Sequence, residues 1–487
     1  MRRSIHIAVG LAVALTVTGC GTLQSQSLQH ASEASGVANI KSIEFSGTGR
    51  WYQFGQAPNP DLPWPPFDLK NFTADINYDT ASARVQISRL QVIEPGRSRP
   101  APVEQKVDQY ISGNIAWNLA TAPNATPPIT AQPAAVEERA AEIWASPQGF
   151  LKAALANNAV LESADNGTEV SFTLGGKYRY IGTINAKNQL ERVQTWIDSP
   201  VLGDTLLETR YNDYRDFGGI QFPSHIVRNQ GGFPVLDINV SAVKLNPAVD
   251  ITVPQEATKA PAVSVAANKL AEGVYYLTGG THHSVAIEQN DHVVLVEAPL
   301  NEERSQAVIA KIQEIIPNKP VKYLINTHAH FDHSGGLRTF VDAGASIVTL
   351  QANQAYYQKA WATPRTINPD RLSKSNKPAK FESFADKHVL SDGSRNIEIY
   401  PIYGNSHNDA FVLVYLPREK ILVEADAFTP TAANAPPPAS PNPYSVNLYD
   451  NIRKLGLDVG QIAALHGPRV VTLTDLRTAI GLRKASN

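Results

Sequence analysis

The sequence predicts two domains: an α/β domain in the C-terminal half and, before it, a β-rich domain of the α+β type. The chain has 487 residues, which is too long for one compact hydrophobic core. Short alternating segments separated by turn residues fill residues 40–250, which is typical of strands. Over residues 268–487, apolar runs alternate with amphipathic helical stretches instead, which is typical of an α/β domain.

The N-terminus has the pattern of an export signal. Arg2 and Arg3 precede an apolar stretch, residues 5–18, that is too short to span a membrane but suits a secretory signal. The stretch runs into Val-Thr-Gly-Cys20, which resembles the bacterial lipobox. We therefore expect residues 1–19 to be a lipoprotein-type signal peptide and Cys20, the single cysteine of the chain, to be lipidated.

A lipidated Cys20 would anchor the protein to a membrane of the bacterial cell envelope, facing the periplasm or the exterior. The alternative is a plain secreted protein that has a cysteine there by chance. Residues 20–39 are rich in Ser, Gln and Ala and predict a flexible tether. The net charge is −2, and nothing in the sequence resembles the basic surface of a nucleic-acid-binding protein. We therefore expect a small-molecule substrate and no nucleic-acid partner.

Residues 40–250 predict a large antiparallel sheet with two inserted helices, at residues 135–144 and 150–156. His225 is the only histidine of this region, and we interpret it as structural. The region could present substrate, bind a lipid or a partner, or act as a spacer. A linker rich in Pro, Ala and Val is predicted over residues 251–267.

The C-terminal half carries the elements of an α/β domain. Residues 302–316 predict an amphipathic helix, because their apolar side chains recur every three or four positions. Apolar runs predict buried strands at residues 293–299, 321–326, 345–350, 410–416 and 421–426.

The segment Thr-His-Ala-His-Phe-Asp-His, residues 327–333, follows one of these strands and precedes a helix start. Imidazole and carboxylate are the ligands that borderline divalent metals prefer, zinc above all. In an extended segment, residues two apart point the same way, so His328 and His330 can bind one ion together. Asp332 and His333 follow at the turn and can face a second position nearby. The loop lies where open α/β sheets bind their ligands.

Three further metal-type residues stand at the edges of later predicted strands. His407 precedes the strand at residues 410–416, Asp426 ends the strand at residues 421–426, and His466 ends a short apolar run. Their order after the first motif favours a shared metal site over isolated structural residues.

Together these residues resemble the metal ligands of the metallo-β-lactamase superfamily. The resemblance covers residues 268–487 and implies that family's four-layer αβ/βα sandwich. It implies a first metal on His328, His330 and His407, and a second on Asp332, His333 and His466. Asp426 would bridge the two ions. One position departs from the family: Glu297 stands where Asp is usual, which puts the support behind the ligands in doubt.

The resemblance implies a hydrolase with two Zn²⁺ ions. Two metal ions about 3.5–4 Å apart can hold a bridging hydroxide near neutral pH. Such a hydroxide would attack an ester, thioester, lactone or lactam-type bond, and Asp332 would orient it as the catalytic residue. Two alternatives remain. One is a mononuclear iron oxidoreductase that resembles persulfide dioxygenases and uses His328, His407 and Asp426. The other is a non-catalytic binding lipoprotein of the cell envelope.

Several residues near the motif have two interpretations. His282 and His283 either contact substrate or a supporting carboxylate, or lie at the surface. Asn405 and Asn408 are expected to serve the turn around His407. The aromatic residues after the strand at residues 345–350 either line a pocket mouth or pack in the core, and these are Tyr356, Tyr357 and Trp361. Residues 430–447 are rich in proline and predict either a stiff segment at the pocket rim or an ordinary surface loop.

Overall fold

The computed structural model describes residues 18–122, 128–260, 262–433, 435 and 440–482, with side chains from residue 26 onward. The predicted signal peptide lies outside this range except for its last two residues, and so does the Cys20 side chain. Lipidation of Cys20 therefore stays a prediction. Within the described part of the chain, no helix is long and apolar enough to cross a membrane.

The N-terminal domain is one antiparallel sheet of thirteen strands within the described residues. The sheet order is β6-β5-β4-β3-β2-β1-β13-β12-β11-β10-β9-β8-β7, so that two meanders join where β1 pairs with β13. The strands are β1 Ser42–Tyr52, β2 Pro66–Asn77, β3 Ser82–Gln91, β4 Gln105–Ser112, β5 Ile115–Leu119, β6 Ile129–Ala131, β7 Val160–Ala164, β8 Gly167–Leu174, β9 Tyr178–Asn185, β10 Leu190–Ser199, β11 Gly203–Asp216, β12 Gln221–Gln230 and β13 Phe233–Leu245. This large sheet confirms the predicted β-rich domain.

Helices cover part of this sheet, and they are α1 Thr18–Ala34, α2 Val136–Ala145 and α3 Pro147–Ala156. Ser146 caps α3, since its side chain accepts a hydrogen bond from the Gly149 amide. Phe150 of α3 is fully buried against Gly182 of β9, where a Cβ would lie 2.2 Å from the Phe150 ring. On the sheet itself, His225 contacts Asp237 across β12 and β13 at 2.9 Å, in agreement with a structural role.

Helix α1 corrects the flexible tether predicted for residues 20–39. Leu28 and Ala31 are buried, and α1 contacts α3, β7 and β8. After the helix, Val37 and Ile40 are buried as well. The Ser- and Gln-rich composition indicated a disordered segment, but the segment also has a narrow apolar stripe. Such a stripe is enough for a helix to pack against the core of the N-terminal domain.

The C-terminal domain has two sheets. The first is mixed and has the order β14-β15-β16-β17-β18-β19-β20, and the second has the order β21-β22-β23-β24-β25-β26. The strands are β14 Ala266–Ala271, β15 Val274–Thr278, β16 Ser284–Glu288, β17 Val293–Val296, β18 Val321–Ile325, β19 Ser346–Leu350, β20 Lys380–Phe384, β21 His388–Ser391, β22 Asn396–Pro401, β23 Val412–Leu416, β24 Ile421–Glu424, β25 Gln461–Ala464 and β26 Val471–Thr472.

Helices lie outside both sheets, and they are α4 Glu302–Ile315, α5 Phe331–Ser334, α6 Leu337–Asp342, α7 Gln351–Trp361, α8 Arg371–Ser375, α9 Pro443–Lys454 and α10 Leu473–Ala479. One core fills the space between the sheets and extends to α9 and α10. Another packs the first sheet against α4, α6 and α7. The layers are therefore αβ/βα, as the resemblance implied. Strands β18, β24 and β25 end at the same edge of the paired sheets, and that edge carries the predicted ligands.

Candidate metal centre

The segment from Thr327 to His333 follows β18 directly and turns into the single helical turn α5. His328, His330 and His333 are almost completely buried, at 0%, 2% and 1% exposed. The rings of His328 and His330 are 4.5 Å apart, and those of His328 and His333 are 4.6 Å apart. The short spacing in the sequence thus becomes a compact group of imidazoles at the end of a buried strand.

The predicted downstream residues join this group. The ligand atoms of His328, His330, His407 and Asp426 all lie within 4.8 Å of one another. In a second group, the ligand atoms of His333, His466 and His282 also lie within 4.8 Å of one another. The structure thus brings together side chains from five separate segments, which are the β15–β16 connection, the loop after β18, the β22–β23 connection and the ends of β24 and β25. Each group has at least three metal-type donors, which is the number that a catalytic zinc site needs from its protein.

Asp426 contacts both groups through its two carboxylate oxygens. Its Oδ2 lies 3.0 Å from His407 Nε2, 3.3 Å from His328 Nε2 and 2.9 Å from His333 Nε2. Its Oδ1 lies 2.8 Å from His466 Nδ1. A carboxylate in this position can serve two ions at once, which is the bridging role that the resemblance implied.

Asp332 lies beside the second group. Its Oδ2 is 3.1 Å from His282 Nε2 and 3.7 Å from His333 Nε2, and its Oδ1 accepts a hydrogen bond from Gln56 at 2.8 Å. The side chain of Asp332 is 27% exposed, whereas that of Asp426 is 8% exposed. The carboxylate predicted to be catalytic therefore faces the accessible side of the centre.

Three buried ring nitrogens of the centre lack a hydrogen-bond partner other than Asp426. His330 Nδ1 has none among the described residues, and His328 Nε2 and His333 Nε2 approach the Asp426 carboxylate at 3.3 and 2.9 Å. The opposite nitrogen of each ring has a partner: Thr327 Oγ1 for His328, the Ala57 carbonyl for His330, and Glu297 for His333. A partner on one side fixes the ring and directs the other nitrogen into the site. Buried nitrogens that have no partner, or that share a single carboxylate, are costly in a protein interior, so this arrangement fits bound divalent metal ions.

Burial and nearby charges shift the pKa values of the histidines of the centre in different directions. Burial lowers the pKa of His328 to about 4 and that of His330 well below its ordinary value, which keeps both rings in the neutral form that binds metal. Burial also opposes charge on His333, but the carboxylates of Asp426 and Asp332 outweigh it and raise the His333 pKa. Burial acts to raise the pKa of Asp426, and the charges of His333 and His407 outweigh this and lower it.

Glu297 supports the predicted metal ligands although it stands where the family usually has Asp. The residue is fully buried just after β17. One carboxylate oxygen accepts a hydrogen bond from the Thr327 amide at 2.6 Å, and the other lies 3.1 Å from His333 Nδ1. The longer glutamate thus reaches both the metal-binding loop and one of its histidines.

His282 and His283 are both buried rather than at the surface, at 7% and 4% exposed. The His282 ring stacks on His466 with 4.3 Å between ring centroids, and its Nε2 contacts Asp332. His283 Nε2 donates to the Gly467 carbonyl at 2.6 Å and so fixes the turn that carries His466. Of the two interpretations of His282, the structure selects contact with a carboxylate of the centre.

Other predicted residues serve the framework. Asn405 and Asn408 accept hydrogen bonds from the amides of His407 and Ala410, as expected for turn residues. Tyr357 is fully buried and stacks on Trp361, so these two pack in the core. Tyr356, in contrast, lines a cavity of about 600 Å³ between the domains.

The proline-rich segment at residues 430–447 lies partly outside the described residues. Its described part, with Phe428 and Arg469, lines a cavity of about 360 Å³ beside the strand end that carries Asp426. The residues that line this cavity include none of the predicted metal ligands, so the rim role stays a prediction.

Two residues of the other domain that hydrogen-bond to predicted ligands were missed from the sequence. They are Gln56 and Ala57, which lie in the N-terminal domain between β1 and β2. No motif marks them, because their contacts join positions more than 270 residues apart in the chain.

Comparison with known proteins places the C-terminal half in a family. The family described as "Metallo-beta-lactamase superfamily" matches residues 277–443. The metallo-beta-lactamase type 2 of Elizabethkingia meningoseptica is 28% identical over 163 residues, which are 32% of this chain and 59% of that protein. The 2,4-dinitroanisole O-demethylase subunit alpha of Nocardioides sp. (strain JS1661) is 26% identical over 170 residues, or 34% of this chain and 47% of that protein.

Among solved structures, the metallo-beta-lactamase FIM-1 from Pseudomonas aeruginosa in its mono-zinc form is similar to this chain at 17% identity. The match covers 46% of this chain and 96% of that one, with a TM-score of 0.34. The chain spans 59% and 47% of the lengths of the two curated relatives.

The C-terminal half of the chain is therefore a metallo-beta-lactamase superfamily domain that carries two clusters of His and Asp residues able to hold metal ions. The matched residues begin after the N-terminal sheet, so the family match leaves that domain unassigned.

Proposed function

We propose that the protein is a dinuclear zinc-dependent hydrolase that cleaves an ester, thioester, lactone or lactam-type bond. The observation that carries the proposal is the position of Asp426, whose carboxylate contacts both groups of imidazoles. Its Oδ2 contacts His407 of the first group and His333 of the second, and its Oδ1 contacts His466 of the second. Support also comes from three buried ring nitrogens of the centre that have no hydrogen-bond partner besides the Asp426 carboxylate. A closed structural zinc site has four ligands and no open position, whereas seven predicted ligands shared by two ions leave positions for substrate.

Two zinc ions bound here would supply an activated water and a Lewis acid for the substrate oxygen. The protein side chains do the remaining work. Asp332 would orient the attacking water through its Oδ2, which is 3.1 Å from His282 Nε2. Substrate would approach from the side of Asp332 and His466, whose side chains are 27% and 36% exposed. Buried His328 and His330 close the opposite side.

The first test is Asp426→Ala in the full-length protein. We expect the variant to lose most bound metal and roughly 100-fold or more of its turnover, because both groups lose their shared carboxylate. Metal content by elemental analysis and hydrolysis of chromogenic lactam, lactone and thioester substrates, with and without chelator, provide the readouts. Asp458→Ala is the matched control, since this carboxylate is exposed and pairs with Lys420.

The same metal analysis separates the alternatives. Near two zinc ions per chain supports the dinuclear hydrolase, and one iron ion supports the oxidoreductase. Full turnover in a chelator-treated, metal-free protein would exclude the proposed mechanism. If the protein binds two zinc ions but cleaves no member of the panel, the proposed substrate class is wrong. The proposed metal centre would still stand in that case.

A further inference from the structure

The N-terminal domain reaches the metal centre through the connection between β1 and β2, residues 53–65, which we call the β1–β2 connection. The Phe331 amide donates to the Gly55 carbonyl at 3.1 Å, and the Asp409 amide donates to the Pro58 carbonyl at 2.8 Å. Phe331 lies between two predicted ligands, His330 and Asp332. The connection therefore pairs with the backbone of the metal-binding loop itself.

Two hydrogen bonds from this connection end on predicted metal ligands. His330 Nε2 donates to the Ala57 carbonyl at 3.0 Å, which leaves Nδ1 as the nitrogen with a free lone pair. Gln56 Nε2 donates to Asp332 Oδ1 at 2.8 Å. One contact holds a member of the first ion's group, and the other holds the carboxylate beside the second. Partners of this kind orient ligands and tune metal affinity.

Aromatic packing fixes the connection against both domains. Phe331 packs edge to face against Phe54 and Trp64, with ring centroids 5.1 and 5.7 Å apart. Trp64 Nε1 donates to the Gln230 carbonyl of β12 at 3.0 Å, which ties the cluster to the N-terminal sheet. Gly55 has φ +77°, and a Cβ there would lie 2.7 Å from the Phe331 ring. The fit is close enough to place Gln56 and Ala57 accurately.

We propose that the N-terminal domain completes the metal centre. Gln56 is a positioning residue that holds Asp332 for the second ion, and the Ala57 carbonyl selects the metal-binding tautomer of His330. This inference rests on the proposed dinuclear function and assigns the N-terminal sheet a part in it. The sheet would then be neither a spacer nor a separate binding module.

The test compares Gln56→Met and Gln56→Ala with the full-length wild type. Methionine keeps the length of the side chain but removes the hydrogen-bond donor. The methionine variant therefore still tests the role of Gln56 if the alanine variant fails to fold. Gln53→Ala is the matched control, because Gln53 lies in the same connection and lines a cavity of the N-terminal domain instead. Metal-free protein is titrated with Zn²⁺ and with Co²⁺, and the cobalt absorption spectrum reports the two sites.

We expect Gln56→Met to bind the second ion about 10- to 100-fold more weakly and the first ion as tightly as wild type. Turnover should fall at limiting zinc and recover at excess zinc, with little change in KM. The Gln53→Ala protein should match wild type in every respect.

Unchanged affinity for the second ion in both Gln56 variants would overturn the role of Gln56. Turnover above wild type in either variant would also overturn it, because the connection would then obstruct the site. A wild-type protein that binds a single ion would contradict the dinuclear function itself, and this result is visible before any variant is compared.

Discussion

Glu297 supports the metal centre from a backbone conformation that few residues adopt. Its φ is +70°, in the left-handed region, which costs a residue with a Cβ about 1–2 kcal/mol. The Glu297 amide donates to the Ile325 carbonyl at 2.9 Å, and its carboxylate holds Thr327 and His333. Strain of this kind persists where surrounding contacts outweigh it, and such places cluster at functional sites.

Glu138 is a second residue in an unfavourable environment, because its surroundings oppose the ionised form of its carboxyl group. It lies on α2 and lines a cavity of about 310 Å³ next to the sheet. Burial, and then the charge of Glu142, raise the Glu138 pKa to about 7 from an ordinary value of 4.5. Between pH 4.5 and about 7 the folded state therefore holds more protons than the unfolded state. The free energy of unfolding falls as pH rises through this window, by at most about 3 kcal/mol.

Glu138→Gln should remove this dependence, because an amide does not ionise. We expect the variant to gain about 1–3 kcal/mol over wild type at pH 8 and to gain little at pH 4.5. Thermal unfolding at both pH values measures the difference. Glu162→Gln, at an exposed position on β7, is the control. An equal gain at the two pH values would show that packing, not ionisation, causes the effect.

At the scale of elements, Arg395 joins the two sheets of the C-terminal domain just before β22. Its guanidinium donates to Glu419 at 2.9 Å and to two carbonyls of the first sheet, those of Glu272 in the β14–β15 turn and of Glu288 at the end of β16. The side chains of Arg395 and Glu419 are only 7% and 5% exposed. The pair is thus removed from water, and each charge depends on the other.

Arg395→Ala should destabilise the protein by about 3–5 kcal/mol, because it leaves the buried Glu419 charge with only the exposed Arg418 beside it. The double variant Arg395→Met with Glu419→Leu should be less destabilised than the single variant, since neither charge remains. Denaturant unfolding measures both. Arg418→Ala is the comparison, because Arg418 approaches the same carboxylate from an exposed position and should cost less than about 1 kcal/mol. A double variant worse than the single one would contradict this account.

At the scale of the whole molecule, hydrogen bonds supplement the aromatic contacts where the two domains meet. Arg365 is buried and donates to the carbonyls of Ser199, Pro200 and Val201, at 3.0, 3.1 and 2.9 Å. The Asp204 amide donates to the Pro364 carbonyl at 2.9 Å. These bonds keep the domains in the arrangement that places the β1–β2 connection on the metal-binding loop.

Arg365→Ala should loosen this interface, because three carbonyls lose their buried donor. We expect hydrogen exchange at the Asp204 amide to become roughly tenfold faster, which corresponds to about 1.4 kcal/mol of local stability. Faster exchange at the Phe331 amide as well would show that the interface opens as one unit. Arg371→Ala is the control, since Arg371 pairs with Asp342 of its own domain. Unchanged protection at Asp204 would contradict the prediction.

The metal-type residues and the strand ends that carry them could be predicted from local patterns, whereas the assignment of ligands to two ions and the layers of the C-terminal domain came from the family resemblance that those residues carry. Strand ends follow from apolar runs, and the spacing of His328, His330, Asp332 and His333 sets which way their side chains point. Helix α1 was hidden because its apolar stripe is narrow and gains its stability from docking onto α3.

The sequence by itself therefore determined the class of the C-terminal domain, the residue types at the metal centre and their order along the chain. Only the tertiary structure decided that His282 is buried against Asp332 and His466, and that Gln56 and Ala57 of the other domain hold the ligands in place. The physical reason is the range of the interactions. Strand and loop signals act over a few residues, whereas a hydrogen bond between domains depends on where two separately folded surfaces meet.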